Sequence, residues 1–306
     1  MQTQKRLSEA YENARIEYFD ENSKYVFMSD AHRGNGSHSY EFTKNRNIFI
    51  HALKHYNKKG FTYVEVGDGD ELWEHPKAWH IKNAHYEVFE QIRSLFKDDR
   101  FIMLYGNHNI YLKNPKYVEK HYYSYFNSYT KQTKEFLYGI KPEESLLLKN
   151  KKTGQEILVV HGHQGDFSND HIWYLTMLSL KYFWRYLHAF GIKNPASPIK
   201  NTTKRHRIEN NITKWIKEHN KMVICGHTHR FKYPREHEYP YFNTGCCIYP
   251  TTITAIELEK GVVKIVRWKV KTNETGNLYV DRKIIRGPDP VSKFDFRKKE
   301  SKCLNI

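Results

Sequence analysis

The chain has 306 residues, with 50 Lys and Arg against 34 Asp and Glu, a formal net charge of +16. That length buries a sizeable core in one large domain or two small ones, and the positive balance favours contact with nucleic acid, an anionic membrane surface or a phosphorylated substrate. Four cysteines without a CxxC pair argue against a disulfide framework and for a reduced, cytoplasmic setting, while the absence of an apolar stretch behind Met1, or of any span of roughly 18 apolar residues, argues against a signal peptide and a membrane crossing.

In chain order, residues 5–18 have the spacing of a short amphipathic helix, and Tyr-Val-Phe-Met at 25–28 predicts a buried strand. Residues 42–56 repeat Phe42, Phe49, Leu53 and Tyr56 at helical spacing, with Gly60 as the stop. A strand over 63–66 follows, interrupted by Glu65, then a helix over 84–96 and a strand over 101–104. Strand–helix–strand–helix–strand implies a parallel sheet. Residues 111–138, rich in tyrosine and lysine, are predicted helical, and 146–148 with 157–160 predict a hairpin. Residues 170–219 read as helical and then basic. Within them Trp173, Met177, Leu180, Trp184 and Leu187 form one helix stripe, suited to packing on a core or to touching a membrane or acyl chain. After a strand at 222–225 the chain turns to strands at 241–245, 253–258 and 262–270, the alternation over 253–258 marking a half-buried one. From about 272 periodicity fades, and the sequence reads as an extended or loosely packed tail.

Metal-ligand residues follow five of these short apolar segments: Asp30-Ala31-His32, Gly67-Asp68, Gly106-Asn107-His108, His161-Gly162-His163 and Gly226-His227-Thr228-His229. Strands that end in Gly, Asp, Asn and His deliver polar groups to one sheet edge. Aspartate, asparagine and histidine together suit hard-to-borderline divalent metals. Each motif alone is weak, because a single buried histidine is more often satisfied within the core; the ordered set is what carries information.

In this order the motifs resemble the calcineurin-like metallophosphoesterases, from Asp30 to the strands near Val270. The resemblance implies a four-layer α/β/β/α sandwich over residues 1–271, with a helical cap insert at about 167–220 and a C-terminal tail over 272–306. It implies two divalent metal ions, manganese first, with iron, zinc or nickel also admitted by the donor set. Asp30 and His32 would hold the first ion, Asp68 would bridge, Asn107, His161 and His227 would complete the second, and His229 would return to the first. The implied reaction is hydrolysis of a phosphoester or pyrophosphate bond by a metal-bridging hydroxide, with His108 protonating the leaving group. Asp70 competes with Asp68 for the bridging role. Arg33 is a candidate phosphate clamp or a surface ion pair, Glu71 a partner behind the ligands, and His163 a supporting or substrate-facing residue. The family usually places an acidic residue after the histidine corresponding to His108; Asn109 stands there, able to orient the imidazole but not to raise its basicity.

A helical, aromatic and basic insert before the GHTH motif is also similar to the UDP-diacylglucosamine pyrophosphohydrolases, although that branch has arginine where His108 stands. The architecture carries over and the sugar-lipid specificity does not. Lys200 to Arg207 adds positive charge close to GHTH. A lipid-linked or nucleotide-type substrate, peripheral contact with an anionic membrane and a nuclease acting on nucleic acid all fit a basic chain, and no obligate protein partner is called for. A non-catalytic scaffold on the same fold would be expected to lose ligands, whereas all seven positions hold metal-competent residues.

Overall fold

The computed structural model describes residues 2–127, 130–166 and 202–296. The aromatic stripe from Trp173 to Leu187, and the cap insert up to residue 201, lie outside the described residues. Two sheets carry the architecture. One has six strands in the order β13-β12-β11-β2-β3-β4, the other five in the order β1-β7-β8-β9-β10. In the first, β2 (Lys24–Met28), β3 (Thr62–Val66) and β4 (Phe101–Leu104) run parallel. Its other half is antiparallel: β11 (Thr252–Glu259), β12 (Val262–Thr272) and β13 (Leu278–Pro290). The second sheet contains β1 (Arg15–Phe19), β7 (Ser145–Asn150), β8 (Glu156–Val160), β9 (Met222–Cys225) and β10 (Tyr241–Asn243).

Period-two alternation along these strands builds three cores at once. Tyr25 and Phe27, Ile102 and Leu104, Leu146 and Leu148, Ile157 and Val159, and Met222 and Ile224 all enter the core between the two sheets. The intervening Val26, Met28, Phe101 and Met103 face the opposite way, onto α2 (Phe42–Lys58) and α4 (Tyr86–Lys97). Leu147, Leu158, Val160, Val223 and Cys225 face α1 (Gln2–Glu12) and α6 (Thr202–His219). The result is the expected four-layer α/β/β/α sandwich, because strands apolar on both faces are stable only when both faces are covered.

Several local expectations are corrected. The first helix ends at Glu12, and Arg15–Phe19 forms β1, paired in parallel with β7. The tyrosine- and lysine-rich stretch is only partly helical. A short helix, α5 (Pro115–Tyr122), leads into a hairpin of β5 (Ser124–Asn127) and β6 (Gln132–Glu135). Its rings serve a tertiary contact: Tyr122, Tyr125 and Phe136 surround the ammonium of Lys82, on α3 (Trp79–Ala84), at 5.3, 6.0 and 4.9 Å. β11 is buried on both faces rather than one, and its inward Glu257 is satisfied by Tyr56 Oη at 2.8 Å and Arg282 Nε at 2.9 Å. Beyond residue 272 the chain is not loosely packed through 296. β13 pairs with β12 along its length, and Val291 and Phe294 plug the inter-sheet core. The charged side chains of β13 hid this strand, since an exposed edge strand needs charge to discourage edge-to-edge pairing. No helix among the described residues is long and apolar enough to cross a membrane.

Two measurements test this packing. Phe294 meets Phe242 with centroids 4.9 Å apart, so Phe294→Ala should cost about 3–5 kcal/mol in urea unfolding, whereas a loose tail would give no change. Burial lowers the Lys82 ammonium from 10.5 to about 8, partly offset by Asp70. The unfolded chain then binds more protons than the folded one between those two pH values, so stability rises there with pH. Relative to Lys82→Met, the wild type should gain about 1–3 kcal/mol between pH 8 and 10.5.

Candidate metal centre

All five motifs meet where β2, β3, β4, β8 and β9 end. The loops turn sharply there. Asp30, His32, Asp68, His227 and His229 have positive φ, between 45° and 65°. Non-glycine residues in this region are strained by on the order of 1–3 kcal/mol each, and such strain clusters at functional sites. The glycines of the motifs permit close approach. A Cβ on Gly67 would stand 2.5 Å from His161 Nδ1, and one on Gly106 would collide with the Asp68 carboxylate and the His161 ring.

Two adjoining pockets of donors result. Asp30, His32 and His229 converge in one and Asp68, His161 and His227 in the other, the ligand atoms of each set lying within 4.8 Å of one another. In the first, His229 Nε2 is 3.1 Å from Asp30 Oδ1 and 3.2 Å from His32 Nε2. In the second, His161 Nε2 is 3.0 Å from Asp68 Oδ2, which is itself 3.9 Å from His32 Nε2. Asp68 Oδ2 thus lies between the two pockets.

The outer hydrogen bonds sort each donor's atoms into those the protein uses and those left over. Asp30 Oδ2 accepts from His227 N at 2.9 Å and from Ser29 Oγ, while Oδ1 has only its poorly aligned contact with His229 Nε2. Asp68 Oδ1 accepts from His108 N at 2.8 Å. His161 Nδ1 lies 2.9 Å from Val66 O, which can only accept, so Nδ1 carries a proton and Nε2 is the atom turned toward Asp68. The side-chain oxygen of Asn107 is buried without a partner, and Asp30 Oδ1 and His161 Nε2 make only close, poorly aligned contacts, with His229 Nε2 and Asp68 Oδ2. Leaving such atoms unsatisfied costs about 1–3 kcal/mol each. Divalent cations would satisfy them together, and the oxygen and imidazole donor set suits such ions. The residues therefore fit the implied metals.

Glu71 organises the outer rim. Its Oε2 is 2.8 Å from His108 Nδ1 and 3.1 Å from His32 Nδ1. Burial raises the Glu71 carboxyl, but the His108 and His32 imidazoles outweigh burial and hold it at about 2. A carboxylate only accepts, so both imidazoles donate from Nδ1 and both keep Nε2 for other work. Burial also opposes charge on Asp68, yet the His161 and His108 imidazoles keep its carboxyl well below the usual range. On His229 and His163 burial dominates and lowers both imidazoles.

Other expectations are revised by this geometry. Asn109 does not orient the imidazole of His108; its Oδ1 accepts from Gly106 N at 2.6 Å and fixes the loop. The carboxylate beside His108 comes instead from Glu71, on a different loop, and Trp73 stacks on the ring with centroids 4.2 Å apart. Arg33 is neither a phosphate clamp nor a surface residue. It is fully buried, with Nε 2.6 Å from Asp70 Oδ1 and Nη1 2.8 Å from Glu65 Oε2. Asp70 takes that bond and one from Tyr122 Oη at 2.6 Å, which turns it away from the pockets and leaves Asp68 as the central carboxylate. Glu65, the interruption in its strand, is the counter-charge of Arg33. His163 is buried beside His161, their centroids 5.6 Å apart, and belongs to neither pocket. Asp166 was missed. Its Oδ2 is 3.3 Å from His227 Nε2 and 3.0 Å from Lys204 Nζ. The one signal for it was an acid closing the run His161-Gly-His-Gln-Gly-Asp166.

A β-sandwich covered by helices, with a twin pocket of Asp, Asn and His at its strand ends, defines a metallophosphoesterase-type α/β protein. The calcineurin-like phosphoesterase superfamily domain matches residues 24–260, and the chain belongs to this superfamily. Among curated proteins no relative matches. Among solved structures, that of Vps29 from Chaetomium thermophilum is similar over 89% of this chain and 100% of that chain, at 7% identity and a TM-score of 0.41.

Orientation of His227 by Asp166 is testable without turnover. Outer partners of metal-binding histidines are typically worth 10–100-fold in affinity. Asp166→Asn should weaken divalent-cation binding by about that factor in calorimetric titration.

Proposed function

We propose that this protein is a metal-dependent hydrolase of phosphoester or pyrophosphate bonds working at a dinuclear centre. Asp30, His32 and His229 would hold one ion, and Asn107, His161 and His227 the other, with Asp68 shared. Manganese is the first expectation, and the donors also admit iron, zinc or nickel. When bound, the metals supply Lewis-acid activation of the phosphoryl group and of the attacking water. The observation that carries the reading is Asp68: one oxygen is fixed by the His108 amide and the other faces imidazoles of both pockets.

The chain's own residues account for the remaining steps. Ser29 and the His227 amide orient Asp30, so that one carboxylate oxygen remains for coordination. His108 is held by three contacts: its amide on Asp68, its Nδ1 on Glu71 and its face on Trp73. A ring fixed this way has lost little freedom to correct, which favours proton delivery at one position. Glu71 stabilises the positive charge His108 carries before that delivery, in the role expected of the acid that the sequence lacks at 109. His108 Nε2 then gives its proton to the leaving-group oxygen.

The reading is tested with Mn²⁺-loaded protein on p-nitrophenyl phosphate and its bis ester, Asp68→Ala serving as the blank. Identical rates for wild type and blank would remove it. His108→Gln should lower kcat about 10²–10⁴-fold on an alkyl phosphoester, whose leaving group needs a proton. The loss should be much smaller on p-nitrophenyl esters, whose leaving group does not.

A further inference from the structure

The ribbon of β12 and β13 plays no part in the reaction above. On β12, Val263 and Ile265 enter the inter-sheet core, and Arg267, Lys269 and Lys271 continue the same face beyond it. Their partners across the pair are Lys283, Asp281 and Tyr279. This face opens at the sheet edge that carries the metal centre. Arg267 pairs with Thr254, whose hydroxyl donates to Thr244 O at 2.6 Å. Thr244 Oγ1 is in turn 2.6 Å from Ser29 Oγ, which holds Asp30. Arg267 therefore stands two strand spacings from the strand that delivers Asp30, about 10 Å across the sheet. Phe231, two residues after His229, flanks Gly245 together with Thr254 and is 38% exposed.

The charges on this face are unbalanced. Asp281 is opposite Lys269 but pairs with Lys271, Oδ2 to Nζ at 2.6 Å. Arg267 stands directly opposite Lys283. Like charges in that position destabilise a sheet, and Arg267, Lys269 and Lys283 form no ion pair with any described residue. The arrangement is unfavourable for folding and favourable for an extended polyanion. Two rings share the face with the cations. Phe231 lies at the metal-centre end, and Tyr279, 45% exposed, is opposite Lys271, about 14 Å along β12 from Arg267. The aliphatic Leu278 and Ile284 point to the other face, that of Trp268, and the turn from Asn273 to Asn277 is polar and contains Glu274. A membrane surface calls for apolar side chains beside the cations. Cations beside flat rings suit phosphates and the bases they carry.

We infer that the open face of the β12–β13 ribbon binds a single strand of nucleic acid, running outward from the metal centre. Arg267, Lys269 and Lys283 contact its phosphates, and the Phe231 and Tyr279 rings stack on unpaired bases. The inference goes beyond the hydrolase reading and does not need it, because the face holds a strand whether or not the centre cleaves it. Each phosphate contact releases counterions, so affinity falls with salt according to the number of cations engaged.

The test is fluorescence anisotropy of labelled oligo-dT and oligo-rU, each of about 12 nucleotides, with the full chain in EDTA at several salt concentrations. Binding of either strand is expected, and the pair shows which sugar is accepted; binding of neither overturns the inference. Arg267→Gln, Lys269→Gln and Lys283→Gln combined should weaken binding at least about tenfold at low salt and reduce the salt slope by about 2. Tyr279→Ala should weaken it about fivefold or more with the slope kept. Lys54, Lys58 and Lys59 are exposed at the end of α2. Their combined glutamine variant removes the same charge and should bind close to the wild type. Equal losses in the two triple variants reduce the effect to net charge and overturn the surface. So does equal affinity for a duplex, or binding to phosphatidylserine vesicles with no binding to the oligonucleotides. Turnover of p-nitrophenyl phosphate with Mn²⁺ is measured separately, and its absence sinks the hydrolase reading alone.

Discussion

Two buried carboxylates, Asp30 and Asp68, set the terms for the rest of this structure. A buried charge is tolerated only when hydrogen-bonded and compensated. In each, one oxygen is tied to a backbone amide, of His227 for Asp30 and of His108 for Asp68. The other is turned toward imidazoles. To reach those positions the chain takes left-handed turns at five non-glycine residues and needs bare backbone at Gly67 and Gly106. Strain of that kind persists only on a rigid support, which the three apolar cores of the sandwich provide.

The acids on the loop after β3 show how finely this is divided. Asp68, Asp70 and Glu71 lie within four residues, yet they serve three different partners. Asp68 faces the donor pockets, Asp70 neutralises Arg33, and Glu71 binds His32 and His108. The buried Arg33–Glu65–Asp70 network holds the loop from below. Glu71 holds the imidazoles from the rim. Charge is thereby balanced on both sides of the site.

Much of this was legible from residue order. The strands before the motifs are short and apolar, so their existence and the sheet edge they feed could be read from pattern alone. The helix over Phe42 to Tyr56 and the hairpin around residues 149–156 could be read for the same reason. The misread regions share a cause: their residues answer to distant partners. The tyrosines at 122 and 125 encircle Lys82. Glu257 looked like the polar face of a strand but is paired with Tyr56 and Arg282. β13 carries edge charges that read as a solvated tail. Local periodicity has no access to such contacts.

By itself the sequence determined the fold class and nominated the candidate donors, because periodicity two, apolar runs and strand-end Asp, Asn and His are local properties. It also determined that the chain is basic. Tertiary structure alone decided the partners. Asn109 follows His108, so sequence nominated it as the orienting group. Space gives that position to Glu71, whose carboxylate arrives from the loop after β3. Arg33 follows His32 and looked available for phosphate, but folding buries it against Glu65 and Asp70. Asp166 and Lys204 come together beside the site only when α6 packs across β8 and β9. A ligand's type is written in its side chain. Its protonation, its orientation and its neighbours are set by atoms far away in sequence, which only the packed sandwich brings within hydrogen-bond distance.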